Sequence, residues 1–262
     1  MSRVPDKPNV WCICATCGRH TVMERSLGFF IAQDYDGEHT LLVYNNSDVE
    51  QELDLPLDLP SNKHILLINQ HVDSQTDKQY TNLGAIYNDA FGYVSIGCEL
   101  LTHWDDDDIF MPNHITEGVA GYKRAKELQK GMVAYKPERS WFRHPKGLDM
   151  MGNNLEPSVF VEPMHIYDKK YALTTTDQHL QWFRPLLDEQ KMFVDPNGLA
   201  TLVYNWGDMD IPTFKTSGDC HNPRNFDNYR MVSREHGDHY LTPWKPERIE
   251  AFYNSLNTLQ HA

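Results

Sequence analysis

The first 115 residues alternate between short apolar runs and stretches of helical spacing, and this alternation constrains the fold more than any other feature of the chain. Residues 9–15 (NVWCICA), 39–46 (HTLLVYNN) and 63–69 (KHILLIN) read as buried strands, and residues 93–104 contain a fourth. Between them, residues 21–33 place Val22, Met23, Leu27, Phe30 and Ile31 close to helical spacing, and residues 81–91 form a second helix candidate. Residues 111–131 follow as a third, with Ile115, Val119 and Tyr122 one turn apart. Apolar strands alternating with helices require a largely parallel sheet covered on both faces, an α/β fold.

In such sheets, ligands bind beyond the carboxyl ends of the strands. Three polar loops fall there: residues 16–19 after the first strand, 45–48 after the second, and the run WDDDDIF (104–110) after the fourth. Adjacent carboxylates ~4 Å apart repel by about 4 kcal/mol at an effective dielectric near 20. Four in a row must splay into water, take up protons or share a cation. Hard oxygen ligands select Mg²⁺, Mn²⁺ or Ca²⁺, and such ions commonly take one or two carboxylates and complete their shell with water and phosphate. The chemistry leaves three readings: a metal–phosphate site, a solvated turn, or a carboxylate pair working as acid and base. The flanking Trp104, Ile109 and Phe110 weigh against a floppy polar loop.

The second half is less regular and rich in Trp, Tyr, Pro and Asn. A helix is expected over 175–187, capped by Thr176 or Asp177 and disturbed at its end by Pro185, and another over 245–260. No composition shift marks a boundary, so the chain reads as one domain over 1–262, with a ligand-binding half (1–115) and an elaborated half (116–262). The net charge of −13 argues against broad phosphate-driven nucleic-acid binding. No apolar run approaches the ~18 residues of a spanning helix. The N-terminal apolar stretch is too short for a signal peptide, and five cysteines, an odd number, suggest reduced thiols and a cytoplasmic location. Cys12 and Cys14 share one face of a strand, which favours buried structural thiols over a zinc site.

HWDDDDIFMPNHI resembles the Asp-x-Asp segment of family 2-type, GT-A fold glycosyltransferases. CATCGRH, the stretch from Phe29 to Ser47, NLGAIYNDAFGY, NNLEPSVFVEP, TTTDQHLQWF and LATLVYNWG resemble further segments of that family, in its order. The resemblance covers residues 10–115 and 153–207. It implies a Rossmann-like, mostly parallel mixed sheet flanked by helices, with an irregular acceptor side. It also implies a metal-dependent inverting transferase that moves a sugar from a nucleoside-diphosphate sugar, a UDP-sugar foremost, to an acceptor hydroxyl.

Carried onto this sequence, Asp106 and Asp108 are implied ligands of Mn²⁺ or Mg²⁺, Asp105 and Asp107 approach ribose or sugar hydroxyls, and Asp106 also belongs to the donor site. Thr16, Arg19 and Asn46 lie near the nucleotide, and Asn88, in the helix before the metal strand, belongs to the same donor-binding set. Asp177 is the implied general base. Each has a plainer alternative: Arg19 as a local counter-charge, Asn46 as a turn residue, Asp177 as a helix cap. Two departures stand out. Ile86 and Tyr87 occupy positions where relatives carry Lys or Arg, and directly after YNWG, where relatives present a His, the chain reads DMDIPTFKTSG, which passes a neutralising role to Lys215, His221, His236 or His239. The acceptor is open among glycan, protein and a hydroxymethylated nucleic-acid base. The last would need a basic groove, for which residues 135–147 are the one candidate, and that stretch reads more simply as a mobile acceptor loop. Alternative functions are a nucleotide-sugar-binding protein without turnover and a Mg²⁺-dependent nucleotidyltransferase, the latter weakened by the lack of a Gly-rich phosphate loop.

Overall fold

A computed structural model describes residues 5–144, 147–153, 155–173 and 180–205. The elements run β1 (Val10–Thr16), α1 (His20–Ile31), β2 (His39–Asn45), β3 (Lys63–Asn69), α2 (Leu83–Phe91), β4 (Leu100–His103), β5 (Ile109–Phe110) and α3 (His114–Leu128). They continue with β6 (Ala134–Pro137), β7 (Arg139–His144), β8 (Gly147–Gly152), a 3₁₀ turn (Glu156–Ser158), β9 (Phe160–Val161), α4 (Pro163–Lys169), α5 (Leu180–Asp188), β10 (Met192–Asp195) and β11 (Leu202–Asn205).

Seven of these strands form one sheet in the order β10-β6-β9-β4-β1-β2-β3. β1 is an interior strand, parallel to β2 on one side and to the central strand β4 on the other, and β2 is parallel to β3 at the edge. Both neighbours of β1 are strands and both its faces are covered, which is why VWCICAT shows no polar alternation. β9 alone runs antiparallel to its neighbours β4 and β6, making the sheet mixed. One face packs against α1 and α3 through Met23, Leu27, Phe30, Ile115 and Val119. The other packs against α2, α4 and α5 through Ala85, Ile86, Ile166, Trp182 and Leu186. Each Leu, Ile, Val, Phe or Met among them, fully buried, contributes about 1.5–3 kcal/mol.

The second half is more ordered than its composition suggests. β5, β11, β7 and β8 form a second, four-stranded sheet, in which β5–β11 and β7–β8 pair antiparallel and β11–β7 parallel. Residues 135–147, expected as a mobile acceptor loop or basic groove, instead supply β6 and β7. Lys136 turns inward, donates to the Asn153 carbonyl and lies 5.6 Å above the Phe183 ring, so it cannot line a groove. The described part of the helix expected over 175–187 is α5, which continues past Pro185 to Asp188. In a nine-residue helix the missing Pro185 N–H costs only one bond to the first turn. The helix expected over 245–260 lies outside the described residues.

Candidate functional site

The site assembles where β1, β2 and β4 end. Trp104 is fully buried, stacks on Phe110 at 3.7 Å and donates its indole N–H to Ser26 Oγ at 2.9 Å. The aspartate run is thus a short loop pinned by aromatic groups at both ends, between β4 and β5. A turn closes it, with Asp108 N–H donating to the Asp105 carbonyl at 3.3 Å. This is not a solvated acidic turn: Asp106, Asp107 and Asp108 are all buried, and only Asp105 is partly exposed.

Burial on this scale demands partners for the carboxylates. Thr16, the last residue of β1, donates its hydroxyl to Asp106 Oδ2 at 2.7 Å. Arg19, just before α1, pairs through Nη2 with Asp106 Oδ1 and approaches Asp107 Oδ2 through Nη1 at 3.7 Å. Asn205, ending β11, donates its backbone N–H to Asp108 Oδ1 at 3.0 Å and its side-chain amide to the Asp107 carbonyl at 3.2 Å. Tyr87 donates its hydroxyl to Asp105 Oδ1 at 3.2 Å.

The loop after β1 is shaped for this purpose. Gly18 has φ +63°, and a β-carbon there would stand 2.9 Å from Ser47 Oγ. Its N–H donates to Asn45 Oδ1, while Asn46 N–H donates to the Thr16 carbonyl at 3.0 Å. The three loops expected to converge therefore do so through direct bonds.

The electrostatics are those of two cations set among four acids. Burial raises the Asp106 carboxyl above its ordinary range, opposed by Arg19 and reinforced by Asp107. Burial disfavours the Arg19 cation, but Asp106 and Asp107 outweigh it and hold its pKa above the usual value. Arg25, 1% exposed on α1, is lowered to about 10 by burial, with Asp107, Asp106 and Asp108 pulling the other way. Its Nη2 reaches the Asp106 carbonyl at 3.4 Å, and its Nε and Nη1 find no hydrogen-bond partner among the described residues. Four carboxylates thus gather beside two guanidinium groups at the end of β4. No group of three His, Cys, Asp or Glu side chains suited to a metal ion occurs among the described residues. The donor set fits an ion that takes one or two carboxylates here and its remaining oxygens from a phosphate ligand.

An aromatic block lies beneath the loop. Tyr171 stacks on Tyr87 at 5.1 Å and bonds His103 Nε2 through its hydroxyl at 2.8 Å, while Trp182 lies parallel to His103 at 5.6 Å. Asn88 clamps the same segment: its Nδ2 donates to the Tyr171 carbonyl at 3.1 Å, and its Oδ1 accepts from Tyr171 N–H at 2.9 Å.

Solved structures share this architecture. S. aureus TarS 1-349 in complex with UDP-GlcNAc matches with a TM-score of 0.54 at 10% identity, over 94% of this chain and 70% of that one. The mannosyltransferase PcManGT from Pyrobaculum calidifontis, in complex with GDP-Man and Mn²⁺, matches with a TM-score of 0.51 at 11% identity, over 94% and 69%. The chain has the GT-A glycosyltransferase fold. It spans 42% of the longer S. aureus TarS structure, which it matches at 12% identity with a TM-score of 0.53. No protein-family model matches the GT-A chain, and no curated protein matches it in sequence.

Within this GT-A scaffold, Thr16, Arg19, Asn46 and Asp105–Asp108 stand together as the motifs imply. Asp106 faces Thr16 and Arg19, and Asp108 faces Asn205. Asn88, expected near the donor, spends its amide on the Tyr171 backbone. Asp177, Lys215, His221, His236 and His239 lie outside the described residues. Arg25 and Asn205 were not singled out from sequence. Arg25 was detectable as a lone charge three residues from Val22 and four from Phe29, on the apolar face of its helix. Asn205 carried no local signal.

Proposed function

We propose that this protein is a metal-dependent, inverting glycosyltransferase that moves a sugar from a UDP-sugar to an acceptor hydroxyl. The observation that carries the reading is the buried aspartate loop at the end of β4, gripped by Thr16 and Arg19 from the end of β1. A buried loop of four adjacent carboxylates is stable only where cations or protons balance it. A cation there brings with it the phosphates of a donor. TarS bound to UDP-GlcNAc and PcManGT bound to GDP-Man and Mn²⁺ support a nucleotide-sugar donor on this fold.

In this reading Thr16, Arg19 and Asn46 border the nucleotide, and Asp105 and Asp107 approach ribose and sugar hydroxyls. Asp106 and Asp108 would hold Mn²⁺ or Mg²⁺, which when bound supplies charge stabilisation to the departing diphosphate. Asp177 takes the proton of the acceptor hydroxyl as its oxygen attacks the anomeric carbon, and the nucleoside diphosphate leaves from the opposite face. The reduced thiols of Cys12, Cys14 and Cys98 favour a reducing, cytoplasmic setting. No described helix is long and apolar enough to cross a membrane. The acceptor is a glycan, a protein or a modified base.

The test is thermal unfolding with a panel of nucleotide sugars and Mn²⁺ or Mg²⁺. A ligand at ~100 times its Kd stabilises the native state by about 2.7 kcal/mol, which for a chain of this size raises Tm by about 5–10 °C. The expected result is a rise of that size with one UDP-sugar plus Mn²⁺ and a smaller one with either alone. A Tm unmoved by every nucleoside diphosphate would sink the reading.

A further inference from the structure

Among the described residues β8 is the last strand of the second sheet, and it pairs with β7 alone. Asn153 N–H donates to the Glu138 carbonyl at 2.9 Å, one step beyond the Arg139↔Gly152 pair, and this fixes the parity of the ladder. Leu148, Met150 and Gly152 therefore turn their backbone N–H and C=O away from β7. Met150 and Met151 stand on opposite faces of the strand, yet they are 40% and 41% exposed. A β-carbon at Gly152 would meet nothing within 4 Å. Edge strands are usually blunted by Lys, Pro or a bulge, and GLDMMG in its unbroken register has none of them. The edge also starts beside the site. Asn205, which bonds Asp108, pairs with Arg143 on β7, and Arg143 pairs with Leu148 on β8. A strand added outside β8 lies three strand spacings from β11, ~14 Å.

From this placement we propose that the acceptor is an extended, basic polypeptide that adds as a strand to the outer edge of β8 and presents a Ser or Thr hydroxyl beyond its paired segment. The inference rests on the glycosyltransferase reading above and names the acceptor class that reading leaves open. A polypeptide backbone matches the edge, because its N–H and C=O groups repeat at the same two-residue interval. A glycan carries no such row. A nucleic acid would meet a protein of its own sign, whereas a net charge of −13 draws basic segments in. The two methionines supply adaptable apolar contact on both faces of the added strand. About four extended residues span the ~14 Å to β11, so the reacting hydroxyl lies about four residues past the paired segment. There its oxygen bonds to the anomeric carbon as the bond from that carbon to the diphosphate oxygen breaks, and its proton passes to the general base. The products are a glycosylated Ser or Thr and a nucleoside diphosphate.

The test uses the full chain, Mn²⁺, the donor found by thermal shift, and a library of synthetic peptides. Each peptide has Lys-rich flanks, a strand segment of alternating Val and Gln, and one Ser or Thr at a varied distance from that segment. Fluorescence anisotropy reads binding, and the mass gain of the peptide reads transfer. Native protein should glycosylate peptides whose hydroxyl lies about four residues from the strand segment. N-methylation of one alternate set of amides in that segment should weaken binding about tenfold or more, and of the other set hardly at all. Met150→Pro should weaken native peptide equally, because residue 150 makes no ladder bond to β7 and Pro is tolerated where an edge N–H faces outward. A rise in its Tm with UDP shows that this variant is folded, and the N-methylation comparison needs native protein only. Equal binding of both N-methylated sets would overturn the inference. So would transfer to a glycan with no peptide bound or modified, and so would a native dimer that Met150→Pro converts to monomer, which would give the edge to a second copy. Protein that binds no nucleoside diphosphate overturns the glycosyltransferase reading and this inference with it.

Discussion

Asp177→Asn is expected to lower glycosyl transfer by about 10²–10⁴-fold, the usual contribution of a general base, while donor and cation binding stay near native. The substitution separates the two roles open to this residue. Asn caps a helix as well as Asp does, so a purely structural Asp177 would tolerate it with little change. Asn cannot accept the acceptor's proton, so a catalytic Asp177 would not tolerate it. The described residues on either side are firmly placed: Tyr171 is clamped by Asn88, and Trp182 lies against His103 two residues after α5 begins. The measurement is single-turnover transfer with the donor found by thermal shift, alongside equilibrium binding of UDP. Transfer at the native rate would move the base elsewhere in the chain. Intact UDP and Mn²⁺ binding with no transfer from either form would favour a nucleotide-sugar-binding protein.

Much of this was legible in the sequence because its cause is local. β1 and β2 are covered on both faces, so they announce themselves as unbroken apolar runs, and the ligand end of the sheet follows from their direction. The aspartates were legible as chemistry, because four adjacent acids flanked by Trp104 and Phe110 weigh against a floppy solvated loop. The partners of each acid were not legible. Asp108 meets Asn205, 97 residues away, and Asp106 meets Thr16 at a separation of 90, and no pattern inside either segment encodes those pairings. The β7–β8 hairpin was missed for a related reason: strand formation there depends on a neighbour, β11, from much later in the chain. Arg25 was passed over because a helix wheel assigns charge to solvent by default. Here the solvent's place is taken by other charges.

The motif G-x-x-x-N at the start of α2 shows how a spacing acquires a physical meaning only in the fold, and it yields the second large prediction. Gly84 and Asn88 are one turn apart and face the same neighbour. Asn88 holds the Tyr171 backbone by two hydrogen bonds, and at Gly84 a β-carbon would stand 1.7 Å from the Ala172 carbonyl oxygen. On propensity alone Gly84→Ala should stabilise α2 by about 1 kcal/mol. The expected result has the opposite sign, because the obstacle is backbone and no side-chain rotamer relieves it. Net destabilisation of about 1–3 kcal/mol is expected, typical of overpacking in a tight site, and urea unfolding measures it.

The functional effect should exceed the structural one. Residues 171–173 lead directly toward Asp177, and Tyr87 on the same helix stacks on Tyr171 and bonds Asp105. In the proposed reading α2 links the aspartate loop, through Tyr87, to residues 171–173, which precede Asp177 in the sequence by four positions. Moving that segment by ~1 Å costs about 100-fold in transfer where catalysis depends on placement. Gly84→Ala should then lose rate with UDP affinity largely kept, since the clash falls on the Ala172 backbone and Thr16 and Arg19 grip Asp106 from β1. Equal losses in rate and UDP binding would mean that the helix shift reaches the donor loop through Tyr87. A variant as stable and as fast as native would mean that residues 171–173 yield to the new methyl group, and that the spacing between donor and base is set elsewhere.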